Sequence, residues 1–205
     1  MKRFALALAA AIALAGCASK GDFPPAPAKA SLPNYTFPNY SYLIGAGDSV
    51  QIQVWRNPEL SASVPVRPDG KLTSPLIEDL PAMGRTPTQL ARDIEKVLTK
   101  YIQDPVVTVI VNGFVGMSSE QVRIVGSATR PSALPYRQNM TLLDAMIAVG
   151  GITEFAAGNK TVLMRASDGN KEYIVRIKDL LQRGDVSANV DLLPGDILII
   201  PESFF

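Results

Sequence analysis

The pattern that most constrains the fold of this chain is a tight turn followed by a strictly alternating strand. Gly45-Ala46-Gly47-Asp48 forms the expected turn, and polar and apolar side chains then alternate from Ser49 to Trp55. A period of two places alternate side chains on opposite faces, so this segment predicts a strand with one buried face. The same order recurs at Gly195-Asp196, before the apolar run 197–200. We therefore predict two related turn-and-strand units, one near each end of the folded part.

The N-terminus has the pattern of a bacterial lipoprotein signal peptide. Lys2 and Arg3 are basic, and an apolar, alanine-rich stretch continues to Leu14. Gly16 and Cys17 stand where such a signal is cleaved and acylated. We predict a signal peptide over residues 1–16, cleavage before Cys17 and lipidation of Cys17, which would anchor the mature protein stably in a membrane because more than one acyl chain is attached. The alternative is an ordinary secretory signal with an unrelated cysteine.

Composition excludes several kinds of chemistry. The chain has one cysteine and no histidine, which rules out an intramolecular disulfide, a Ser-His-Asp or Cys-His catalytic group and histidine-ligated metals. We expect no cofactor, no metal site and no catalytic residue. The 20 basic and 19 acidic residues nearly balance, which argues against nucleic acid as a partner.

Residues 17–40 are predicted to be a proline-rich tether. Prolines separated by small residues favour an extended chain that does not build a core of its own. Four aromatic residues interleave the end of this segment, namely Tyr35, Phe37, Tyr40 and Tyr42. We expect them to fasten the tether to the first domain, and stacking on sugar rings or on a partner is the alternative.

Residues 41–116 predict an α+β domain in which one helix covers a small sheet. Thr86, Pro87 and Gln89 form a capping box with proline in the first helical position, and an apolar stripe runs on to Tyr101. The β-branched run 106–111 predicts a strand buried on both faces.

A hairpin is predicted earlier in the same domain. Asp69-Gly70 lies between two short extended runs, 63–67 and 71–74, and such a dipeptide favours a hairpin turn. Pro65 marks the first run as an edge strand. Residues 75–85 contain two further turn residues and are predicted to be a loop.

Residues 117–205 predict a second mixed domain. Thr141 caps a helix that Gly150-Gly151 ends, with Asp144 in its first turn. We expect Leu143, Ala145, Met146, Ile147 and Val149 to face inward. The remaining predicted elements are strands at 121–126, 134–136, 161–165, 172–177 and 197–200, and a short helix at 178–182.

In combination these segments resemble the Wza-like outer-membrane polysaccharide export lipoproteins. Tyr42-Leu43-Ile44-Gly45-Ala46-Gly47-Asp48, then Arg67-Pro68-Asp69-Gly70-Lys71 and the helix at 88–101, resemble the export domain of that family. Residues 121–165 resemble its SLBB module, a β-grasp unit, through Val125-Gly126, Arg130-Pro131 and the helix that begins at Thr141. Ser132 stands where the SLBB pattern usually has glycine, so that turn is expected to differ.

The resemblance implies a fold and a role. The fold is α+β, with an export-type domain and a β-grasp domain after the signal peptide and tether. The role is non-enzymatic export of exopolysaccharide or capsule, as in the short members that accompany PEP-CTERM and exosortase systems. Copies would form a homo-oligomeric ring around the polymer through the exposed edges near 64–67 and Leu134. The candidate lumen contacts are Arg123, Arg130, Arg137, Asn112 and Asn139, and plain solvated surface is the alternative for each.

The resemblance also implies partners and a location. The partners are an inner-membrane chain-length regulator, or co-polymerase, and the polysaccharide itself. The location is the outer membrane, with a lipid anchor and a periplasmic body. Long family members end in a helix that crosses the membrane, and this sequence reaches Phe205 without one. We therefore expect it either to stay periplasmic or to work with a separate outer-membrane β-barrel.

Two other functions stay open at this point. A carboxylate-based enzyme acting on polysaccharide needs two acids across a cleft. However, the aspartates beside glycine are typical turn residues, namely Asp48, Asp69, Asp168 and Asp196. Only Glu78-Asp79 is left as an unexplained acidic pair. A monomeric periplasmic lipoprotein that binds polysaccharide or acts as a scaffold is the second alternative.

Overall fold

The computed structural model describes residues 23–26 and 40–203. The signal peptide, Cys17 and the aromatic residues Tyr35 and Phe37 lie outside these ranges. The described part is a mixed helix-and-sheet protein with two hydrophobic cores, one in each of two modules. The predicted α+β fold of two small mixed domains is confirmed.

A three-stranded antiparallel sheet and a hairpin form the first module. Strand β1 (Ser49–Val54) lies between β2 (Ala62–Pro65) and β5 (Val107–Gly113). Strands β3 (Lys71–Ser74) and β4 (Ile77–Pro81) pair with each other. Helix α1 (Pro87–Leu98) is amphipathic and buries Leu90, Ile94 and Leu98 in the same core as the inward-facing side chains of β1.

The start of α1 is as predicted, but its end is not. The Thr86 hydroxyl accepts a hydrogen bond from the Gln89 amide, and the Gln89 side chain accepts one from the Thr86 amide. The helix ends at Leu98, and Tyr101 lies beyond it with 58% of its surface exposed. The prediction that Tyr101 belongs to the buried stripe is therefore wrong, because the helical geometry stops one turn earlier.

Three further expectations for this module are corrected. The turn at Asp69-Gly70 forms, and the Arg67 amide donates to the Lys71 carbonyl across it at 2.9 Å. The predicted hairpin does not continue beyond this bond, since β2 pairs with β1 and β3 pairs with β4. The predicted loop 75–85 contains β4. Strand β5 is buried on one face only: Val107 and Val109 are buried, whereas Thr108 and Ile110 are exposed. Its high β-propensity was therefore not a sign of burial on both faces.

A five-stranded mixed sheet forms the second module. Its strands are β6 (Val122–Gly126), β7 (Ser132–Leu134), β8 (Thr161–Arg165), β9 (Lys171–Val175) and β10 (Ile197–Ile200), in the spatial order β7-β6-β10-β8-β9. The two central strands, β6 and β10, run parallel, and all other neighbours are antiparallel. Helices α2 (Leu142–Val149) and α3 (Ile177–Arg183) contribute to the core of this sheet.

Helix α2 has its predicted cap but a different buried face. Leu142, Ala145, Met146 and Val149 are buried at the spacing of one helical face. Leu143 is 36% exposed and Ile147 is 69% exposed, so the prediction that these two face inward is wrong. The prediction rests on the apolar character of Leu143 and Ile147, but the 3.6-residue period of the helix places both on its outer side. Strand β7 also begins and ends two residues earlier than predicted.

Part of the tether docks onto the second module. The Ala26 amide donates to the Ile174 carbonyl at 3.0 Å, and the Ile174 amide donates to the Pro24 carbonyl at 2.9 Å. This short segment extends the sheet beyond β9, so the tether is not detached along its whole length. Strands β2 and β7 are at the ends of their sheets, as predicted for edges. Within the described ranges, no helix combines the length and apolar character needed to cross a membrane.

Candidate functional site

The carboxylate of Asp48 is the most connected side chain in the first turn. It is fully buried, and both of its oxygens accept two hydrogen bonds. Oδ2 accepts from the Tyr42 hydroxyl at 2.5 Å and from the Gly45 amide at 2.8 Å. Oδ1 accepts from the amides of Val115 and Gly116 at 2.7 and 2.9 Å. The turn residue therefore also holds the segment that leads from the first module into the second.

Close backbone contact explains the glycines of this turn. A Cβ atom on Gly45 would lie 1.9 Å from the carbonyl oxygen of Gly116, so a side chain does not fit between the two segments. Gly47 has a φ of +89°, in the left-handed region that glycine adopts without strain. Gly45 is thus needed because the Gly116 backbone lies against it, and Gly47 is needed because its φ is positive.

Two tyrosines at the end of the tether contact different modules. Tyr42 packs edge-on against Phe114 at a ring distance of 5.3 Å, beside the core of the first module. Tyr40 packs edge-on against Tyr136 at 4.9 Å and donates a hydrogen bond to Glu120 at 3.1 Å, in the second module. The expectation that these aromatics fasten the tether to the first domain is therefore correct for Tyr42 and wrong for Tyr40.

Burial dominates the electrostatics of both tyrosines. It raises the pKa of the Tyr42 hydroxyl above its usual range, and the hydrogen bond to Asp48 raises it further. Burial likewise raises the pKa of Tyr40, with the charge of Glu120 adding to the shift. Both hydroxyls are consequently neutral hydrogen-bond donors at physiological pH.

The C-terminal turn repeats the local geometry of the first. The Asp48 amide donates to the Gly45 carbonyl, and the Asp196 amide donates to the Leu193 carbonyl. In return, the Leu193 amide donates to Asp196 Oδ2 at 2.9 Å, as Gly45 does to Asp48. The intervening Gly195 has a φ of +81°, close to that of Gly47. The repeated sequence pattern thus corresponds to a repeated hydrogen-bonded turn.

The surroundings of Asp196 differ from those of Asp48. Asp196 is fully buried, and Arg165 Nη2 lies 3.4 Å from its Oδ2 atom. Burial raises the pKa of Asp196 to about 6, although the Leu193 amide and Arg165 oppose the shift. Its Oδ1 atom has no hydrogen bond of normal geometry. Asp196 is therefore less well compensated than Asp48, which accepts four hydrogen bonds.

Asp69 and Gly70 lie in an exposed turn. Gly70 has a φ of +79°, and its amide donates to the Arg67 carbonyl at 2.8 Å. The Arg67 guanidinium forms ion pairs with both Asp69 and Asp79. The hydrogen bond from Arg67 holds the pKa of Asp69 at about 2. Asp79 is thus a partner of Arg67, which accounts for one member of the acidic pair Glu78-Asp79.

Gly150 and Gly151 follow helix α2. Both have positive φ values, +78° and +84°, and the Gly151 amide donates to the Met146 carbonyl. They end the helix in the left-handed conformation that is common after a helical C-terminus. Arg130 lies beside this turn, with Nε about 3.6 Å from the position of a Cβ atom on Gly150.

The structure does not bring the three candidate lumen arginines into one shared groove. Arg123 is exposed on β6 and donates to the Ser118 carbonyl at 2.6 Å. Arg130 lies at the helix-end turn described above. Arg137 lines a groove of about 500 Å³ together with Leu134, Asn139 and Ile147. A role for these arginines in polymer contact stays a prediction.

Sequence reasoning missed Gly116 and the partner of the Tyr42 hydroxyl. Gly116 lies 68 residues after Asp48, and no local pattern links the two. The signals that were available, an aspartate beside glycine and a tyrosine before a turn, indicate local structure only. Among the described residues, no group of three or more histidine, cysteine, aspartate or glutamate side chains is placed to hold a metal ion.

Comparison with known proteins assigns both modules. Residues 37–112 match the family of polysaccharide biosynthesis/export proteins, and residues 120–200 match the SLBB domain. The chain therefore carries a polysaccharide biosynthesis/export domain followed by an SLBB domain. The Asp48 turn lies in the export domain, and the Asp196 turn lies near the end of the SLBB domain.

Three relatives carry names that refer to exopolysaccharide. The chain is 26% identical over 181 residues to the EPS I polysaccharide export outer membrane protein EpsA of Ralstonia solanacearum, covering 77% of this chain. It is 26% identical over 185 residues to EpsA of Ralstonia nicotianae, covering 78%. It is 27% identical over 132 residues to the exopolysaccharide production protein ExoF of Rhizobium meliloti, covering 58%. The chain spans 47% of each EpsA sequence and 30% of ExoF.

Proposed function

We propose that this protein is a non-enzymatic component of an exopolysaccharide export machine at the outer membrane. The observation that carries the proposal is the consecutive match of an export domain and an SLBB domain over residues 37–200. The names of the relatives, which describe export and production of exopolysaccharide, support the same role. A lipid anchor on Cys17 would place the body of the protein in the periplasm.

Copies of the chain assemble into a ring that forms a conduit for the polymer. Strands β2 and β7 are at the ends of their sheets, and an uncovered edge strand offers backbone groups for pairing with another chain. Asp48 and the two tyrosines connect the modules through partly buried hydrogen bonds and ring contacts. Such a connection suits a subunit that must repeat the same geometry around a ring.

The proposed partners follow from the same role. The polymer passes through the ring, and an inner-membrane chain-length regulator with a periplasmic domain delivers it. This partner is expected to contact the periplasmic face of the ring. Co-purification of the regulator with the tagged full-length protein, from membranes solubilised in mild detergent, tests the contact.

A secretion assay tests the export role directly. In a strain with an in-frame deletion of the gene, the polymer in the medium is expected to fall sharply while cell-associated polymer or its precursors accumulate. A plasmid copy of the full-length gene should restore secretion. Normal secretion by the deletion strain overturns the proposal.

Assembly state tests the ring. The full-length protein in detergent is expected to sediment as a defined species several times the mass of one chain. A substitution that places proline within β2, such as Ser63→Pro, should reduce assembly because it removes an amide donor and stiffens the edge. A wild-type protein that remains a monomer at high concentration, with and without the regulator, rules out the ring.

A further inference from the structure

One face of the three-stranded sheet carries exposed side chains without charge. Alternation along β1 buries Val50, Ile52 and Val54 and turns the intervening side chains outward. Strand β5 alternates in the same way. We call this surface the outer sheet face and define it by seven residues, Gln51, Gln53, Trp55, Val106, Thr108, Ile110 and Asn112.

The registers of the strands place these side chains next to one another. Gln53 lies opposite Thr108, and Gln51 lies between Ser63 of β2 and Ile110 of β5. Residues directly opposite each other in antiparallel strands project to the same side. The Asn112 side chain donates to Gln51 Oε1 at 3.2 Å, which orients both amides on the surface.

Trp55 stands at one end of the outer sheet face. It is the only tryptophan in the chain, and 70% of its surface is exposed. Its amide donates to the carbonyl of Val106, which is itself 56% exposed. The two side chains line a shallow groove of about 370 Å³ together with Gln53, Thr108 and Arg56. A large aromatic side chain in this position is not needed for the core of either module.

We infer that the outer sheet face binds uncharged sugar residues of a polysaccharide chain. A pyranose ring has an apolar C–H face and a rim of hydroxyl groups. Trp55 offers a flat apolar surface for the C–H face. The amides of Gln51, Gln53 and Asn112 offer both donors and acceptors for the hydroxyl rim. This inference rests on the proposed export function and assigns a polymer contact to a defined surface.

The charge of the outer sheet face favours an uncharged sugar chain over an anionic ligand. None of the residues of the outer sheet face is charged, and Arg56 is the one charged residue that lines the groove beside Trp55. A single cation is a weak site for phosphate, nucleic acid or an anionic membrane, each of which is typically bound by several basic groups. Five of its seven side chains are amides, a hydroxyl or the indole, which is unlike the apolar centre of a stable protein interface. Neutral hydroxyl-rich chains match this composition.

Tryptophan fluorescence tests the inference, because Trp55 is the only tryptophan. The probe is a set of short oligosaccharides made by partial acid hydrolysis of the exopolysaccharide that the source organism secretes. The full-length protein in detergent is titrated with them. We expect a blue shift of the emission and weaker quenching by acrylamide, because stacking covers the exposed indole. The apparent affinity should be nearly constant from about 50 to 500 mM NaCl, since no charges are paired.

Three variants test whether the oligosaccharide binds to the outer sheet face. By calorimetry, Trp55→Ala should weaken binding about tenfold or more, a change typical of a central aromatic contact. Gln53→Ala should weaken it by a smaller factor. Tyr101→Ala is the matched control, because it removes another exposed aromatic from the same module and should leave binding unchanged. Near-identical circular dichroism and unfolding midpoints for all three variants confirm that each is folded.

Three results would overturn the inference. The first is oligosaccharide binding with unchanged affinity in Trp55→Ala, which would place the polymer elsewhere while leaving the export role intact. The second is no fluorescence change together with normal secretion by a strain carrying Trp55→Ala. The third is a smaller assembly in sedimentation for Trp55→Ala, without any oligosaccharide effect in the wild type, which would make this face a contact between copies. The deletion strain tests the export role independently of all three.

Discussion

The Oδ1 atom of Asp48 accepts a hydrogen bond of 2.9 Å from the amide of Gly116, which lies 68 residues later in the chain. The carboxylate is fully buried and also receives the Val115 amide, the Gly45 amide and the Tyr42 hydroxyl. Four donors satisfy the lone pairs that burial removes from water, which is the condition for a stable buried carboxylate. One side chain thus fixes a turn, the end of the tether and the start of the connection between modules.

Replacement of Asp48 by asparagine is expected to destabilise the protein. The amide nitrogen of asparagine is a hydrogen-bond donor, and it must face either the Tyr42 hydroxyl and the Gly45 amide or the amides of Val115 and Gly116. Two of the four present donors therefore lose their acceptor. We expect a loss of about 2–4 kcal/mol in the free energy of unfolding, as for a buried charged group that loses its partners. Urea unfolding followed by circular dichroism measures the loss.

Asp104→Asn is the control for this change. Asp104 is exposed and has a φ of +47°, which asparagine tolerates well. The same chemical change there should alter the unfolding free energy by less than about 0.5 kcal/mol. Equal effects of the two substitutions would mean that the four hydrogen bonds of Asp48 contribute little.

Gly45→Ala is expected to be costly for steric reasons alone. Its Cβ atom would lie 1.9 Å from the Gly116 carbonyl oxygen, which is backbone and moves only if the connecting segment shifts. We expect a destabilisation of about 3 kcal/mol or more, at or above the upper end for overpacked sites. Thermal and urea unfolding measure it.

Gly84→Ala provides the comparison. Gly84 has a φ of +76°, but nothing lies within 4 Å of a Cβ atom built there. Alanine at Gly84 should therefore cost only the backbone strain of about 1–2 kcal/mol. A smaller loss for Gly45→Ala than for Gly84→Ala would refute the close contact between Gly45 and Gly116.

Asp196 is expected to make stability depend on pH. Its pKa is about 6 in the folded protein against an ordinary value of 3.8. A carboxyl whose folded pKa is raised stabilises the fold below its unfolded pKa, and this contribution is lost as the pH rises through the folded pKa. The loss amounts to roughly 2–3 kcal/mol between about pH 4 and pH 7.

A comparison with Asp196→Asn isolates this contribution. The unfolding free energy of the wild type minus that of the variant should fall as the pH rises from about 4 to 7. Other carboxyls with lowered pKa values, such as Asp69 and Asp144, give the opposite slope but are present in both proteins and cancel. A difference that stays constant across this range is incompatible with a raised pKa of Asp196.

Two variants of Tyr40 are expected to separate its ring from its hydroxyl. Tyr40→Phe keeps the edge-on contact with Tyr136 and loses only the hydrogen bond to Glu120, so a loss of about 0.5–1.5 kcal/mol is expected. Tyr40→Ala also removes the ring and should cost roughly 1–2 kcal/mol more. Chemical unfolding measures both, and equal losses would show that the ring contact adds nothing.

Cys17→Ser is expected to abolish membrane anchoring. Without the thiol, no acyl chains can be attached at the predicted cleavage site, and the protein should no longer pellet with membranes. Mass spectrometry of the purified wild type should find a mature N-terminus at Cys17 with added acyl mass. An unmodified wild-type Cys17 would favour the ordinary secretory signal.

Local patterns predicted much of the fold because they act over a few residues. The cap at Thr86, the cap at Thr141 and the glycines after α2 were read from residue types whose hydrogen bonds close within one turn. The two-residue period of β1 likewise predicted its buried face. Residue type alone does not give the outward position of Ile147, which the helical period does. A local turn pattern likewise does not give the strand partners of the two segments beside Asp69-Gly70, because those partners lie farther along the chain.

The sequence by itself determined the capped starts of α1 and α2, the repeated Gly-Asp turns and the resemblance to polysaccharide export proteins. Only the tertiary structure decided which turn aspartate reaches a distant segment, that Tyr40 and Tyr42 contact different modules, and that the exposed face of β1 joins that of β5 around Trp55. The physical reason is that side-chain period and capping depend on near neighbours. Strand pairing and burial depend on residues far apart in the chain, whose meeting no local pattern encodes.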